Sequence, residues 1–195
     1  MTTPDWWDVY PGVITEEEYE ALPEGVSRAI EVVYGRVIRC ESPSPEHNRI
    51  ARRLANAIEA ARSPVDRCMV VDTDIDVVLW RVPKFTFRRP DVVVYECLEV
   101  RGQKPTAART LMVVEVTSPG TRQEDLLDKK VQYAAAGIPL YLVVVLDDKW
   151  DITGIREFHL DAATGEYRLH REHRALLELE HPVALTLRVA DLLLG

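Results

Sequence analysis

Two almost wholly apolar runs, Leu111 to Thr117 and Leu140 to Leu146, enclose a segment marked as a helix at both ends. Thr121 and Glu124 have capping-box spacing before it, and Gly137 with Pro139 closes it. The spacing predicts a helix from Arg122 to about Ala136 with an apolar stripe of Leu127, Val131, Ala134, Ala135 and Ile138. Strand, helix and strand then form one crossover unit, the connection that joins parallel strands. Runs this apolar are normally buried on both faces of a sheet.

The rest of the chain must be arranged around that unit. Thr15 and Glu18 start a short helix that stops at Pro23, so residues 1–28 read as an N-terminal helical extension. β-branched runs on either side of Gly35, Ala29 to Tyr34 and Arg36 to Cys40, read as a hairpin. Ser44 caps a helix whose first position is Pro45; its apolar residues Ile50, Leu54, Ala57, Ile58 and Ala61 fall at helical spacing. Strand patterns follow from Cys68 to Trp80, at Phe85 and Phe87, and from Val92 to Tyr95. Shorter ones lie at Ile155 to Leu160, Glu166 to His170 and Val183 to Arg188. With no repeat or linker, residues 1–195 read as one domain. Cys40, Cys68 and Cys97 lack CxxC spacing and read as buried free thiols.

Apolar runs far shorter than the roughly 20 residues that span a bilayer argue against an integral membrane protein. The acidic start Met1 to Asp8 lacks the pattern of a secretory signal, so a cytoplasmic location is expected. A formal charge of -8 argues against non-specific coating of nucleic acid, which rests on many Lys and Arg contacts. It is compatible with a protein that gathers carboxylates around a metal.

Glu115 is the most informative residue, because an unpaired charge inside an apolar strand is too costly to keep without a partner or a metal. Asp91 opens the Val92 run, and the loop between allows the two strands to lie side by side with both acids at one end. Two convergent carboxylates are the usual way to hold Mg²⁺. On the crossover helix Asp125, Lys129 and Tyr133 form an i, i+4, i+8 stripe from which Lys129 could reach that end. A solvated face with an Asp-Lys pair is the simpler account of the stripe, and a salt bridge that of Glu115.

The order Pro90-Asp91, then Glu115-Val116-Thr117-Ser118-Pro119, then Thr121, Asp125, Lys129 and Tyr133, resembles the Uma-type family of restriction-endonuclease-like proteins. That family belongs to the PD-(D/E)XK nuclease superfamily. The likeness extends to the early hairpin (Glu31 to Val37), the Ser-Pro and His segment (Ser42 to Asn48) and the Tyr-Ala-x-x-Gly ending (Tyr133 to Gly137). It implies an α/β fold with a central mixed sheet flanked by helices. It also implies a DNA endonuclease in which Asp91, Glu115 and the Val116 carbonyl bind Mg²⁺, or Mn²⁺ in its place, and Lys129 positions or activates the attacking water. The superfamily's strand lysine is replaced by Thr117, and in Uma-type proteins it has moved to the helix, where Lys129 lies. The superfamily often dimerises, so a homodimer is expected. A catalytically weak nucleic-acid-binding module, and an interaction protein in which Glu115 and Lys129 are a buried ion pair, are the alternatives.

Other residues are more open. Glu31 reads either as a metal or supporting ligand or as an exposed strand residue, and His47 as a cap, a DNA contact or a partly exposed histidine. Arg49, Arg52 and Arg53 could face phosphate, though a basic helix surface is more often simply solvated. Asp72, Asp74 and Asp76 alternate as on an exposed strand face and lack the glycine of a calcium loop. His170 and His173 have no matching second pair in sequence, which argues against zinc. Trp6 and Trp7 read as a packing pair.

Overall fold

The computed structural model describes residues 12–40, 42–63, 68–117 and 123–193, without the side chains of 123–125. The Thr121–Glu124 capping box, Ser118, Pro119, Trp6, Trp7 and the Asp125 side chain therefore lie outside the described residues.

The chain opens with α1 (Glu16–Glu20), where Thr15 and Glu18 make the reciprocal bonds of a capping box. After α2 (Glu24–Ser27), β1 (Ile30–Val33) and β2 (Arg36–Arg39) pair around Tyr34 and Gly35, whose φ angles of 50° and 75° turn the hairpin. Then comes α3 (Pro45–Ala61), with the Ser44 hydroxyl accepting from the His47 N–H. The sequence continues with β3 (Met69–Asp72), β4 (Val77–Trp80), β5 (Thr86–Arg88), β6 (Val92–Glu96) and β7 (Thr110–Val116). The crossover helix α4 (Gln123–Ala135) leads to β8 (Leu140–Leu146), β9 (Ile152–Asp161) and β10 (Glu166–His173). A closing hairpin of β11 (Leu176–Leu179) and β12 (Leu185–Arg188) ends in a 3₁₀ turn, Val189–Leu192.

The central sheet has the order β10-β9-β8-β7-β6-β3, with β7 and β8 parallel and the other pairs antiparallel. It is mixed, as the crossover requires. A four-stranded antiparallel sheet, β2-β1-β5-β4, stands beside it. Strand alternation divides the central core in two. Val92, Val94, Val114 and Leu142 face Ile50, Leu54 and Ile58 of α3, and Val93, Val113, Tyr141 and Val143 face Tyr133, Ala134 and Ile138 near α4. Helices thus cover both faces. Among the described residues no helix is long and apolar enough to cross a membrane.

Several sequence expectations are corrected. The run Cys68 to Trp80 is two strands in different sheets, β3 and β4, and its aspartates do not share an exposed face. Asp76 is buried, accepting from Arg89 at 2.6 Å and from the Tyr19 hydroxyl at 2.6 Å. Cys68 and Cys97 are not free thiols but a disulfide, because β3 and β6 pair antiparallel and bring their Cα atoms within 5.3 Å. Only Cys40 is free among the described cysteines. The closing hairpin supplies a strand, β11, which the sequence pattern did not reveal.

The largest correction concerns the phase of α4. Leu127 and Val131, assigned to its apolar stripe, are 61% and 67% exposed, whereas Gln132 and Tyr133 are buried. The polar positions face inward because they serve buried charges. Stranding such a charge costs about 3 to 5 kcal/mol, while each exposed Leu or Val forfeits about 1.5 to 3 kcal/mol of burial. Leu127→Glu and Val131→Glu are accordingly expected to change unfolding free energy by no more than about 0.5 kcal/mol, as surface substitutions do. Urea unfolding checks this, and a loss of several kcal/mol would mean that these side chains are covered.

Candidate active site

The register of the central sheet brings the two acids together. Val92 pairs with Val114, so the next position outward sets Asp91 opposite Glu115. The Asp91 Oδ2 accepts the Val116 N–H at 2.6 Å, fixing the carboxylate across the gap between β6 and β7. His47, in the first turn of α3, meets the same oxygen through Nε2 at 3.1 Å. Both described contacts of Asp91 thus fall on Oδ2. The buried His47 Nδ1 has no hydrogen-bond partner among the described residues. Burial pushes the His47 ring down, but its bond to Asp91 and the charges of Asp91 and Glu115 outweigh that and hold its pKa above the ordinary value.

Glu115 is 4% exposed and both its oxygens are engaged by α4. Lys129 Nζ donates to Oε2 at 2.9 Å and the Tyr133 hydroxyl to Oε1 at 2.7 Å. The i, i+4 spacing of Lys129 and Tyr133 is what allows one helix to present both donors. Burial raises the Glu115 carboxyl to about 7, with Lys129 pulling it down and Asp91 and Glu31 pushing it up. Burial, together with the Glu115 and Glu31 charges, also raises the Tyr133 phenol, which keeps it a donor.

Glu31 is neither exposed nor a free ligand. It is 4% exposed and accepts from Arg88 Nη1 at 2.6 Å and the Arg89 N–H at 2.7 Å. Arg88, 1% exposed, also donates through Nε to the Gln132 side-chain oxygen on α4 at 2.8 Å. Arg89 clamps Asp76 through Nε and Nη2, at 2.9 and 2.6 Å. The segment carrying Pro90 and Asp91 is therefore pinned by two successive arginines. Thr117 accepts the Leu146 N–H on its hydroxyl at 2.9 Å, so it stitches β7 to β8. Of the α3 arginines, Arg53 donates to the Leu192 carbonyl at 3.2 Å.

The structure thus gathers Asp91, Glu115, Val116, Lys129, Tyr133 and His47, with Glu31 behind them. Sequence reasoning missed Arg88, Arg89 and Gln132; an Arg-Arg-Pro-Asp run was the one available signal. The donor set, two carboxylates and a backbone carbonyl, has the hard-oxygen chemistry that suits Mg²⁺. A mixed α/β sheet flanked by helices thus carries two acids at one strand end, with a lysine from the crossover helix beside them. A solved structure from Anabaena variabilis, described as "a putative nuclease belonging to DUF820", shares this fold: the TM-score is 0.66 at 18% identity, covering 92% of this chain and 97% of that one. The family described as "Uma2: Putative restriction endonuclease" matches residues 16–190, and the chain belongs to that family. No curated protein matches.

Proposed function

We propose that the protein is a Mg²⁺-dependent endonuclease that hydrolyses DNA phosphodiester bonds, with Mn²⁺ able to substitute. Asp91, Glu115 and the Val116 carbonyl would hold the cation, which when bound neutralises phosphate oxygens and lowers the pKa of a water. The observation that carries the reading is Lys129 Nζ at 2.9 Å from Glu115. An ammonium from the helix stands where the strand position holds only Thr117, whose hydroxyl is already used. Lys129 positions the attacking water beside the acids, and Tyr133 fixes the Glu115 carboxylate from its other oxygen. His47 orients Asp91 by its bond to Oδ2. The protein acts as a homodimer in this reading, since cutting both strands of a duplex calls for two sites.

The test is nicking of supercoiled plasmid with Mg²⁺, Mn²⁺ or EDTA. Metal-dependent nicking is expected, and Lys129→Ala should lower its rate by about 10² to 10⁴, the usual worth of a positioned proton-transfer group. Cleavage that persists unchanged in Lys129→Ala, or in EDTA, would overturn the assignment. DNA binding without turnover would favour the inactive binding module.

A further inference from the structure

A second constellation stands apart from the paired acids. The carboxylate of Glu157, 5% exposed, lies on β9 with its Oε1 2.5 Å from His159 Nε2. His170 stacks on His159 with ring centroids 4.2 Å apart and planes 16° from parallel. One ligand atom from each of Glu157, His159 and His170 lies within 4.8 Å of the others. A tetrahedral zinc ion with bonds of about 2.0 to 2.2 Å sets its ligands about 3.3 Å apart. Binding an ion there requires the two exposed imidazoles to turn out of their near-parallel stack and His159 Nε2 to give up its direct contact with Glu157 Oε1.

Sequence spacing pairs His170 with His173, but the fold separates them. β10 carries a bulge between Leu169 and Arg171, and His170 is the extra residue, turned toward His159. His173 is buried and does something else: its Nδ1 accepts the Glu178 N–H at 3.4 Å, so Nε2 carries the proton and meets Glu157 Oε2 at 2.8 Å. One Glu157 oxygen is thereby taken up from within, and the other faces the two exposed rings. Two imidazoles and one carboxylate are the ligand types of zinc-class cations, whereas Mg²⁺ prefers oxygen alone.

This cluster is independent of the Glu115 site. On β9, Ile155 packs with the α3-side core and Phe158 with the α4-side core, so Glu157 and His159 share the α3 side, opposite Glu115. Along the sheet, Glu115 aligns with Val143 and Arg156, while His159 aligns with Leu140 and Met112, three positions toward the other end.

We infer that Glu157, His159 and His170 form a binding site for a zinc-class divalent cation, which clamps β10 to β9 across the bulge. The site leaves a fourth position for water. The test is calorimetric titration of Zn²⁺ into the full chain carrying Glu115→Gln, which removes an acid of the other site, with Mg²⁺ as control. One Zn²⁺ per chain is expected, with no Mg²⁺ heat from these residues, and a visible absorption band when Co²⁺ replaces Zn²⁺. His159→Ala and His170→Ala, both exposed positions, should each weaken Zn²⁺ binding by about 100-fold and remove the band, with circular dichroism unchanged. Absence of Zn²⁺ binding, or binding that survives the loss of both histidines, would overturn the inference.

Discussion

Glu115→Gln is expected to abolish metal-dependent cleavage, lowering its rate by about 10³-fold or more, while leaving the protein folded. Replacing the carboxylate by an amide removes an anionic ligand, and charge stabilisation by a bound cation is worth several kcal/mol in the transition state. The amide oxygen can take the place of Oε2 and accept from Lys129, while the amide NH2 in the place of Oε1 donates to the Tyr133 hydroxyl oxygen, so the Lys129 ammonium keeps an acceptor. Full activity in this variant would sink the proposed site.

The same substitution carries a pH signature in the absence of metal. Glu115 is raised from 4.5 to about 7 by burial, partly offset by Lys129 and reinforced by Asp91 and Glu31. A folded pKa above the unfolded one means that the folded state holds more protons between those values. The stabilising contribution of the neutral acid is therefore complete below about pH 4.5 and lost as pH rises through 7. With EDTA present, Glu115→Gln should match the native chain near pH 5 and be more stable by about 3 kcal/mol near pH 8. His47 titrates nearby with a raised pKa, and its contribution also falls as pH rises. Both chains carry His47, whose raised pKa owes more to Asp91 than to Glu115, so their difference chiefly reports Glu115. Denaturant unfolding at the two pH values checks it. A difference independent of pH, or a variant destabilised by about 3 to 5 kcal/mol, would mark Glu115 as a plain partner of Lys129.

Local chemistry explains what could be read from the chain. Ser44 before Pro45 and Thr15 before Glu18 announce helix starts through bonds made within a few residues, and both helices begin there. Apolar runs similarly announce β7 and β8, and the parallel pair between them follows from the intervening helix. Glu115 stood out because its immediate neighbours are apolar. What could not be read depends on partners distant in sequence. Leu127 and Val131 look like a core stripe until Lys129, Gln132 and Tyr133 acquire Glu115 and Arg88 as partners. The Cys68–Cys97 bond follows from the pairing of β3 with β6, which cysteine spacing does not encode. His170 meets His159 only because a bulge displaces it by one residue.

Arg88→Ala is expected to cost about 3 to 5 kcal/mol of stability. Arg88 and Glu31 have side chains 2% and 6% exposed, so deleting the guanidinium leaves a buried carboxylate whose remaining described partner is the Arg89 N–H. Gln132 loses its bond to Arg88 at the same time. Because the pair ties β1 and β5 to α4, it does more than neutralise itself: it sets the rotation of the helix that presents Lys129 and Tyr133. Stability and positioning can be separated by the double variant Glu31→Leu with Arg88→Met. Apolar replacement of a buried pair is often neutral or stabilising, so the double variant should regain most of the unfolding free energy lost in Arg88→Ala. It should not regain full cleavage, because Gln132 then loses its described side-chain partner and α4 its tie to β5, which shifts Lys129 relative to Glu115. Recovery of both properties would show that the pair serves the fold alone, and failure to recover stability would show that its replacement leaves a void or a stranded polar group.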